Sequence, residues 1–341
     1  MPNATTLTLD SRIKPSDRIA LAPMEGVVDY HVRQLLSEIG GISFCVTEFL
    51  RVTNQLQPDK AFKKICPEIQ HECKTSHNTP VHLQLLGNNI ELLAAHAAKA
   101  ASMGAKVIDL NFGCPAKTVN RHKGGAVLLQ YPEEVHQIVQ AVSNALEGSE
   151  TQLTAKMRLG YEDKSLAFEN MAAIEAGGAK ELTVHARTKV EGYKPPAHWQ
   201  WLARLREKAQ IPIIANGEVW NIEDYHACRD VSGCKDVMIG RGLLADPYLA
   251  HRIRHNIKQT PTLADLTTVL YRYLKATEQS FPEKFLLSRS KQWLGMMNKN
   301  NPDVQALFDQ IRVCNNSQDV FNLLFQSSQQ ERHFAHCLPL N

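Results

Sequence analysis

The chain has 341 residues, is 43% hydrophobic and 21% charged, and carries a formal net charge of +3. That composition excludes a disordered or collagen-like chain and leaves room for one large domain with a smaller companion. The mild positive charge is compatible with a polyanionic partner and equally with an ordinary enzyme. Eight cysteines occur with no C-x-x-C pair and no Cys/His spacing of a zinc site, so free thiols in a reducing compartment and no metal are expected. Residues 1–16 read as a polar extension without the apolar stretch of a targeting signal, and no run suits a membrane helix. A cytoplasmic protein without membrane association is expected.

Eight short apolar runs follow in chain order. They are "IALAPM" from Ile19, "SFCVTEF" from Ser43, "VHLQLLG" from Val81, "KVIDLNFG" from Lys106, "LTAKMRLG" from Leu153, "ELTVHARTK" from Glu181, "IPIIANGEV" from Ile211 and "KDVMIGRG" from Lys235. Each ends in Gly, Pro or a polar residue, as buried parallel strands do. Between them lie amphipathic segments with helix starts and stops, such as "NNIELLAAHAAKAASMG" and "YPEEVHQIVQAVSNALEG". Eight alternations predict an α/β fold, a (β/α)₈ TIM barrel over residues 17–257. An open doubly wound sheet ranks lower, because no G-x-G-x-x-G follows an early strand. After residue 257 the segments are amphipathic with no strand between them, which predicts an all-helical domain over residues 258–341.

A barrel of this kind places its chemistry at the C-terminal ends of its strands. The first ends in Pro23-Met24-Glu25-Gly26, where backbone can lie flat against a ligand. The third ends near Gln84, an amide able to donate and accept. The fourth ends Asn111-Phe112-Gly113-Cys114-Pro115. Most cysteines are small core residues, but one held between Gly and Pro at a strand end is placed for chemistry. The fifth ends with Lys156, a cation in an apolar run that needs an anionic ligand or a neighbouring acid. The sixth ends with His185 and Arg187 on one side, which would make the barrel mouth cationic. The seventh and eighth end Asn216-Gly217-Glu218 and Gly240-Arg241-Gly242, where barrels commonly bind phosphate. A phosphate subsite opposite a Lys, Gln and Pro-Met platform suits a flat ring with a phosphate tail, FMN.

Taken together, "APMEG", "NFGCP", "AKMRLG", "VHARTK", "ANGE" and "IGRG" resemble the tRNA-dihydrouridine synthases over nearly the whole chain. "VTEFLRV", "ICPEIQ", "RSKQWL" and "IRVCNNS" are most similar to the bacterial C-type enzymes, which reduce uridine 16 in the tRNA D-loop. The resemblance implies FMN as cofactor, NADPH as reductant and tRNA as partner. It implies hydride delivery to C6 of a flipped-out uracil and a proton from Cys114 to C5. It further implies that Pro23, Met24, Glu25, Gln84, Lys156, His185, Asn216, Gly217, Glu218, Gly240 and Arg241 bind the cofactor, and that Asn111 touches the uracil. Arg51, Arg289, Lys291 and Arg312 lie in or beside the C-type motifs and are the expected tRNA contacts. From Gln259 onward there are eight Lys/Arg against seven Asp/Glu, so any RNA face must come from clustering. A monomer is expected. Asn120-Arg121-His122-Lys123 stands where relatives carry a Gly-rich loop, which marks a segment expected to move or to meet RNA. A dihydroorotate-type flavoenzyme and a non-catalytic tRNA-binding chaperone are the competing readings. The first leaves the helical tail unexplained, and the second predicts a colourless protein.

Overall fold

A computed structural model describes residues 13–338; most of the expected N-terminal extension lies outside the described residues. Strands β1 (Ile19–Leu21), β2 (Phe44–Arg51), β3 (Val81–Leu86), β4 (Val107–Phe112), β5 (Gln152–Arg158), β6 (Leu182–His185), β7 (Ile213–Asn216) and β8 (Val237–Ile239) form a closed parallel barrel, each paired to the next and β8 back to β1. All eight fall on the apolar runs of the sequence. Helices α1 (Tyr30–Ile39), α2 (Asp59–Ile65), α3 (Ile90–Ser102), α4 (Lys117–Arg121), α5 (Pro132–Ala145), α6 (Ala167–Ala176), α7 (Trp199–Lys208), α8 (Ile222–Ser232), α9 (Arg241–Ala245) and α10 (Leu249–His255) fill the connections. Then α11 (Leu263–Thr277), α12 (Glu283–Met297), α13 (Val304–Ile311) and α14 (Ser317–Ser328) follow without an intervening strand.

Strand alternation sorts the side chains. Ile108 and Leu110, Leu153, Ala155 and Met157, and Leu182 and Val184 belong to the main core. The alternate positions bury polar groups instead, including Gln84, Asp109, Thr154, Thr183, His185 and Asn216. A second small apolar cluster of Ala20, Ala22, Phe44, Val46, Ile214 and Met238 accounts for the other side of the lumen. The barrel interior is therefore half apolar and half hydrogen-bonding. Its polar half lies on β3 to β7.

The late helices are fastened to the mouth of the barrel. Trp293 on α12 donates from its indole to the Leu244 carbonyl of α9 at 2.9 Å. Arg289 on α12 donates to the Gly26 carbonyl at 3.0 Å and pairs with Asp29 at 3.3 Å. Asp29 also N-caps α1 through Val32 N–H and accepts from the Tyr273 hydroxyl at 2.6 Å. The β1–α1 turn is thus held from both sides.

Candidate active site at the barrel mouth

A cavity of about 440 Å³ opens at the C-terminal ends of the strands, within the range of small-molecule sites. Strand register assembles it. Gln84 pairs with Asp109, Asn111 with Lys156, Arg158 with His185, and His185 with Asn216. Polar residues separated by tens of positions thereby share one level of the barrel. Pro23, Met24, Glu25, Gln84, Asn111, Cys114, Lys156, His185, Asn216, Gly217, Glu218, Gly240 and Arg241 all line it.

A chain of hydrogen bonds rises from the lumen to the cysteine. Asp109 accepts from Thr154 and from Gln84, each at 2.7 Å. The Gln84 carbonyl oxygen accepts from Asn111 at 2.7 Å. Asn111 Oδ1 in turn accepts from the amides of Gly113 and Cys114, both at 2.9 Å. Both ends of the Gln84 carboxamide and the oxygen of Asn111 are engaged within the protein. Asn111, expected on the uracil, is therefore first of all the clamp of the Cys114 turn. Arg158 adds a second clamp, donating to the Gly113 carbonyl at 2.8 Å and to the Thr188 and Gly192 carbonyls. Behind the turn, Asn120 and the Ala126 amide both donate to the Cys114 carbonyl. Gly125 is needed there: its φ is +67°, and a Cβ would lie 2.9 Å from the Cys114 carbonyl oxygen. The Arg121-His122-Lys123 segment ends the short helix α4 and exposes all three side chains while Asn120 anchors it from beneath.

The electrostatics follow from burial. Burial raises the Cys114 thiol above its ordinary value, with Glu25 adding to the effect, so the thiol keeps its proton at neutral pH. Burial and the neighbouring Arg158 lower Lys156 from 10.5 to about 8. Lys156 makes no hydrogen bond or ion pair among the described residues; the acid on the neighbouring strand, Asp109, acts on it only through space and offsets part of the burial. Burial and Glu48 lift Glu25 to about 7, and the Gly26 amide donates to Glu48 at 2.5 Å. His185 is held neutral by burial and by the surrounding cations, and its buried Nδ1 has no partner.

At the opposite end Arg241 lies over the rings of Tyr193 and Trp220, at 4.7 and 4.8 Å. Lys299, from the segment after α12, lies 3.2 Å from the Trp220 ring centroid. A Cβ on Gly242 would meet the Val219 carbonyl oxygen at 2.1 Å, so glycine lets the two strand-end loops close on each other. Two expectations change here. Glu218 spends its carboxylate on Arg187 and the Trp220 indole, so its side chain faces protein. Arg187, expected to charge the mouth, is fully buried behind that pair. Tyr193 and Trp220 line the site and escaped the sequence reading; Arg158 was legible as the end of the fifth strand but carried no assigned role.

Of the expected RNA contacts, Arg51 closes β2 near the mouth and Arg312 is exposed beside Asp309. Lys291 donates to the Cys314 carbonyl at 3.1 Å. Arg289 is 4% exposed, and its guanidinium is consumed by Asp29, Tyr273, Gly26 and Gln292. The structure makes Arg289 an internal tie between helices and barrel.

Comparison with known proteins gives the family. The chain is 46% identical over 299 residues to a tRNA-dihydrouridine(16) synthase of Aquipseudomonas alcaligenes, covering 86% of this chain and 95% of that protein. It is 44% identical over 322 residues to the tRNA-dihydrouridine(16) synthase of Neisseria meningitidis serogroup B (strain ATCC BAA-335 / MC58), covering 93% and 96%. Among solved structures, histamine dehydrogenase from Rhizobium sp. 4-9 superposes with a TM-score of 0.51 at 15% identity, covering 76% of this chain and 48% of that one. At that identity the likeness concerns the fold alone. Residues 20–329 match the family Dihydrouridine synthase (Dus), and the chain belongs to that family.

Proposed function

We propose that the protein reduces uridine to 5,6-dihydrouridine in tRNA, at position 16 of the D-loop, with FMN as cofactor and NADPH as reductant. The observation that carries this reading is one cavity bearing a protonated thiol, Cys114, and an unpartnered lysine, Lys156. The relatives' names supply the position and the RNA.

The residues present suit FMN. Lys156 offers an unsatisfied cation, His185 an unsatisfied ring nitrogen, and Gly217, Gly240 and Arg241 a small-residue, cationic end for a phosphate. Met24 and Pro23 form an apolar wall. When bound, FMN would supply the reducing equivalent, a hydride drawn from NADPH and taken up at uracil C6. Cys114 gives its proton to C5 from its clamped turn and is reprotonated from solvent. Lys156 stabilises negative charge at the ring edge, and Asn111 and Arg158 hold the thiol in line. Met296 on α12 lines the cavity, so the helical region joins the wall that excludes water. The uridine enters flipped out of the folded RNA.

In this reading residues 17–257 form the catalytic domain and 258–341 the tRNA-binding domain of a cytoplasmic monomer. Arg51, Lys291, Arg312 and the exposed Arg121-His122-Lys123 segment supply phosphate contacts. Mapping dihydrouridine in tRNA from cells lacking the protein tests the proposal. Loss at position 16 alone is the expected result; loss at another position instead, or no loss, overturns it. No helix among the described residues is long and apolar enough to cross a membrane.

A further inference from the structure

The other end of the barrel carries a group of side chains that the reaction does not use. His251 on α10 and the His336-Cys337 pair near the chain end bring one ring nitrogen each and a thiol within 4.8 Å of one another. Cys337 Sγ stands 3.6 Å from His251 Nε2. We propose that these three residues bind a transition-metal ion, with zinc(II) as the native-type occupant.

The distance between Cys337 and His251 suits a shared metal as well as a simple contact. A tetrahedral zinc site with bonds of about 2.3 Å to sulfur and about 2.0–2.1 Å to nitrogen holds S and N about 3.5 Å apart. The observed 3.6 Å is that edge. An S–H···N hydrogen bond would account for His251 and Cys337 by themselves. It gives no reason for His336 to bring a third donor atom within 4.8 Å of the other two. The donor set, two imidazoles and a thiolate, is the borderline-soft set zinc prefers. His255, one helical turn after His251, has its ring 4.5 Å from that of His251, and its buried Nδ1 makes no hydrogen bond. It lies outside the group of three, so the fourth position falls to water.

The surroundings are preformed. A Cβ on Gly40 would lie 3.8 Å from His251 Nδ1, so that side of the ring meets the α1–β2 turn and Nε2 is left for the metal. Phe334 stacks on Tyr248 at 4.7 Å, and the amides of His333 and Phe334 both donate to the buried Asp265 at 3.0 Å. The chain end is therefore delivered to α10 by contacts independent of any ion. Gly40 and Gly41 lead into the first residues of β2, so the cluster sits at the N-terminal ends of the strands, opposite the cavity. Its role is structural: one ion pins the chain end to the last helix of the barrel. Binding displaces the Cys337 proton to solvent and leaves no redox change.

The test is a titration of full-length protein, stripped with chelator, with cobalt(II), whose thiolate charge-transfer band and intense visible bands report tetrahedral sulfur ligation. One cobalt per chain with that band, displaced by zinc(II), is expected. C337S should abolish the band, and H336A, at an exposed position that leaves folding intact, should weaken binding at least about tenfold. Zinc(II) should raise the unfolding temperature of the wild type by about 3 °C and that of C337S not at all. Absence of the band, its persistence in C337S, its loss in C114S instead, or unchanged affinity in H336A would each overturn the proposal.

Discussion

Asn111 Oδ1 accepts a hydrogen bond from the Cys114 amide at 2.9 Å, so the residue beside the thiol in the cavity wall is also the residue that sets its backbone. Asn111→Ala should lower dihydrouridine formation about 100-fold, since misplacing a reacting group by about 1 Å costs that much. Asn111→Asp keeps the acceptor and should retain more activity than the alanine variant. Equal losses in single-turnover assays would mean that the amide N–H group, which donates to Gln84, matters more than the turn.

Cys114→Ala removes the proposed proton donor and leaves the cavity. Uridine reduction should fall by about 10²–10⁴-fold while the flavin spectrum and NADPH oxidation stay as in the wild type. Because burial raises this thiol, wild-type turnover should not lose its acid between pH 7 and the thiol's ordinary value of 9.0. A fall through that interval that persists in Cys114→Ser would assign the acid elsewhere, and one that becomes flat in Cys114→Ser would show that the thiol titrates there and is not raised.

Arg158→Ala opens the second clamp, the 2.8 Å bond to the Gly113 carbonyl, without touching the thiol. Turnover should fall about tenfold or more, and Arg158→Lys should rescue little, because an ammonium cannot reach three carbonyls in one plane. NADPH oxidation in the absence of tRNA reads the flavin side separately and should change less.

Lys156 links stability to pH. Its folded-state value of about 8 lies below the ordinary 10.5. Between those values the unfolded chain binds more protons than the folded one, so this residue makes stability rise as pH increases from about 8 to about 10.5. Below pH 8 both states are protonated and its burial cost is fully present. In the flavin-free protein, denaturant melts of wild type against Lys156→Met should show that slope only in the wild type. The substitution should also abolish or weaken flavin retention.

Arg289→Ala removes the cation beside Asp29, which keeps its bonds from Val32 and Tyr273, at a cost of about 2 kcal/mol in denaturant unfolding. At a temperature where the variant is folded, its tRNA affinity should match the wild type. A selective loss of tRNA binding with unchanged stability would restore Arg289 to the RNA surface.

Arg289 also illustrates where linear reading ends. "RSKQWL" marks the helix and the family, but the guanidinium meets Asp29 across 260 positions, and only the packing of α12 on the β1–α1 turn brings them together. His251 and Cys337 are 86 positions apart and match no linear zinc spacing, so the sequence pointed to no metal. Glu218 read as a strand-end ligand residue, yet Arg187 and Trp220 claim its carboxylate. By contrast, the strand ends at Cys114, Lys156, His185 and Arg241 were legible, because barrel closure sends every strand end to the same face.

The sequence by itself determined the eight strands, the helical region after them, the family and the set of residues at the mouth. Those properties rest on local periodicity and on turn residues whose conformational limits act within a few positions. The tertiary structure alone decided which polar groups face ligand and which face one another. Asn111 clamps, Arg289 ties and Lys156 waits without a partner because hydrogen bonds and ion pairs act over about 3 Å in space, whatever their separation along the chain.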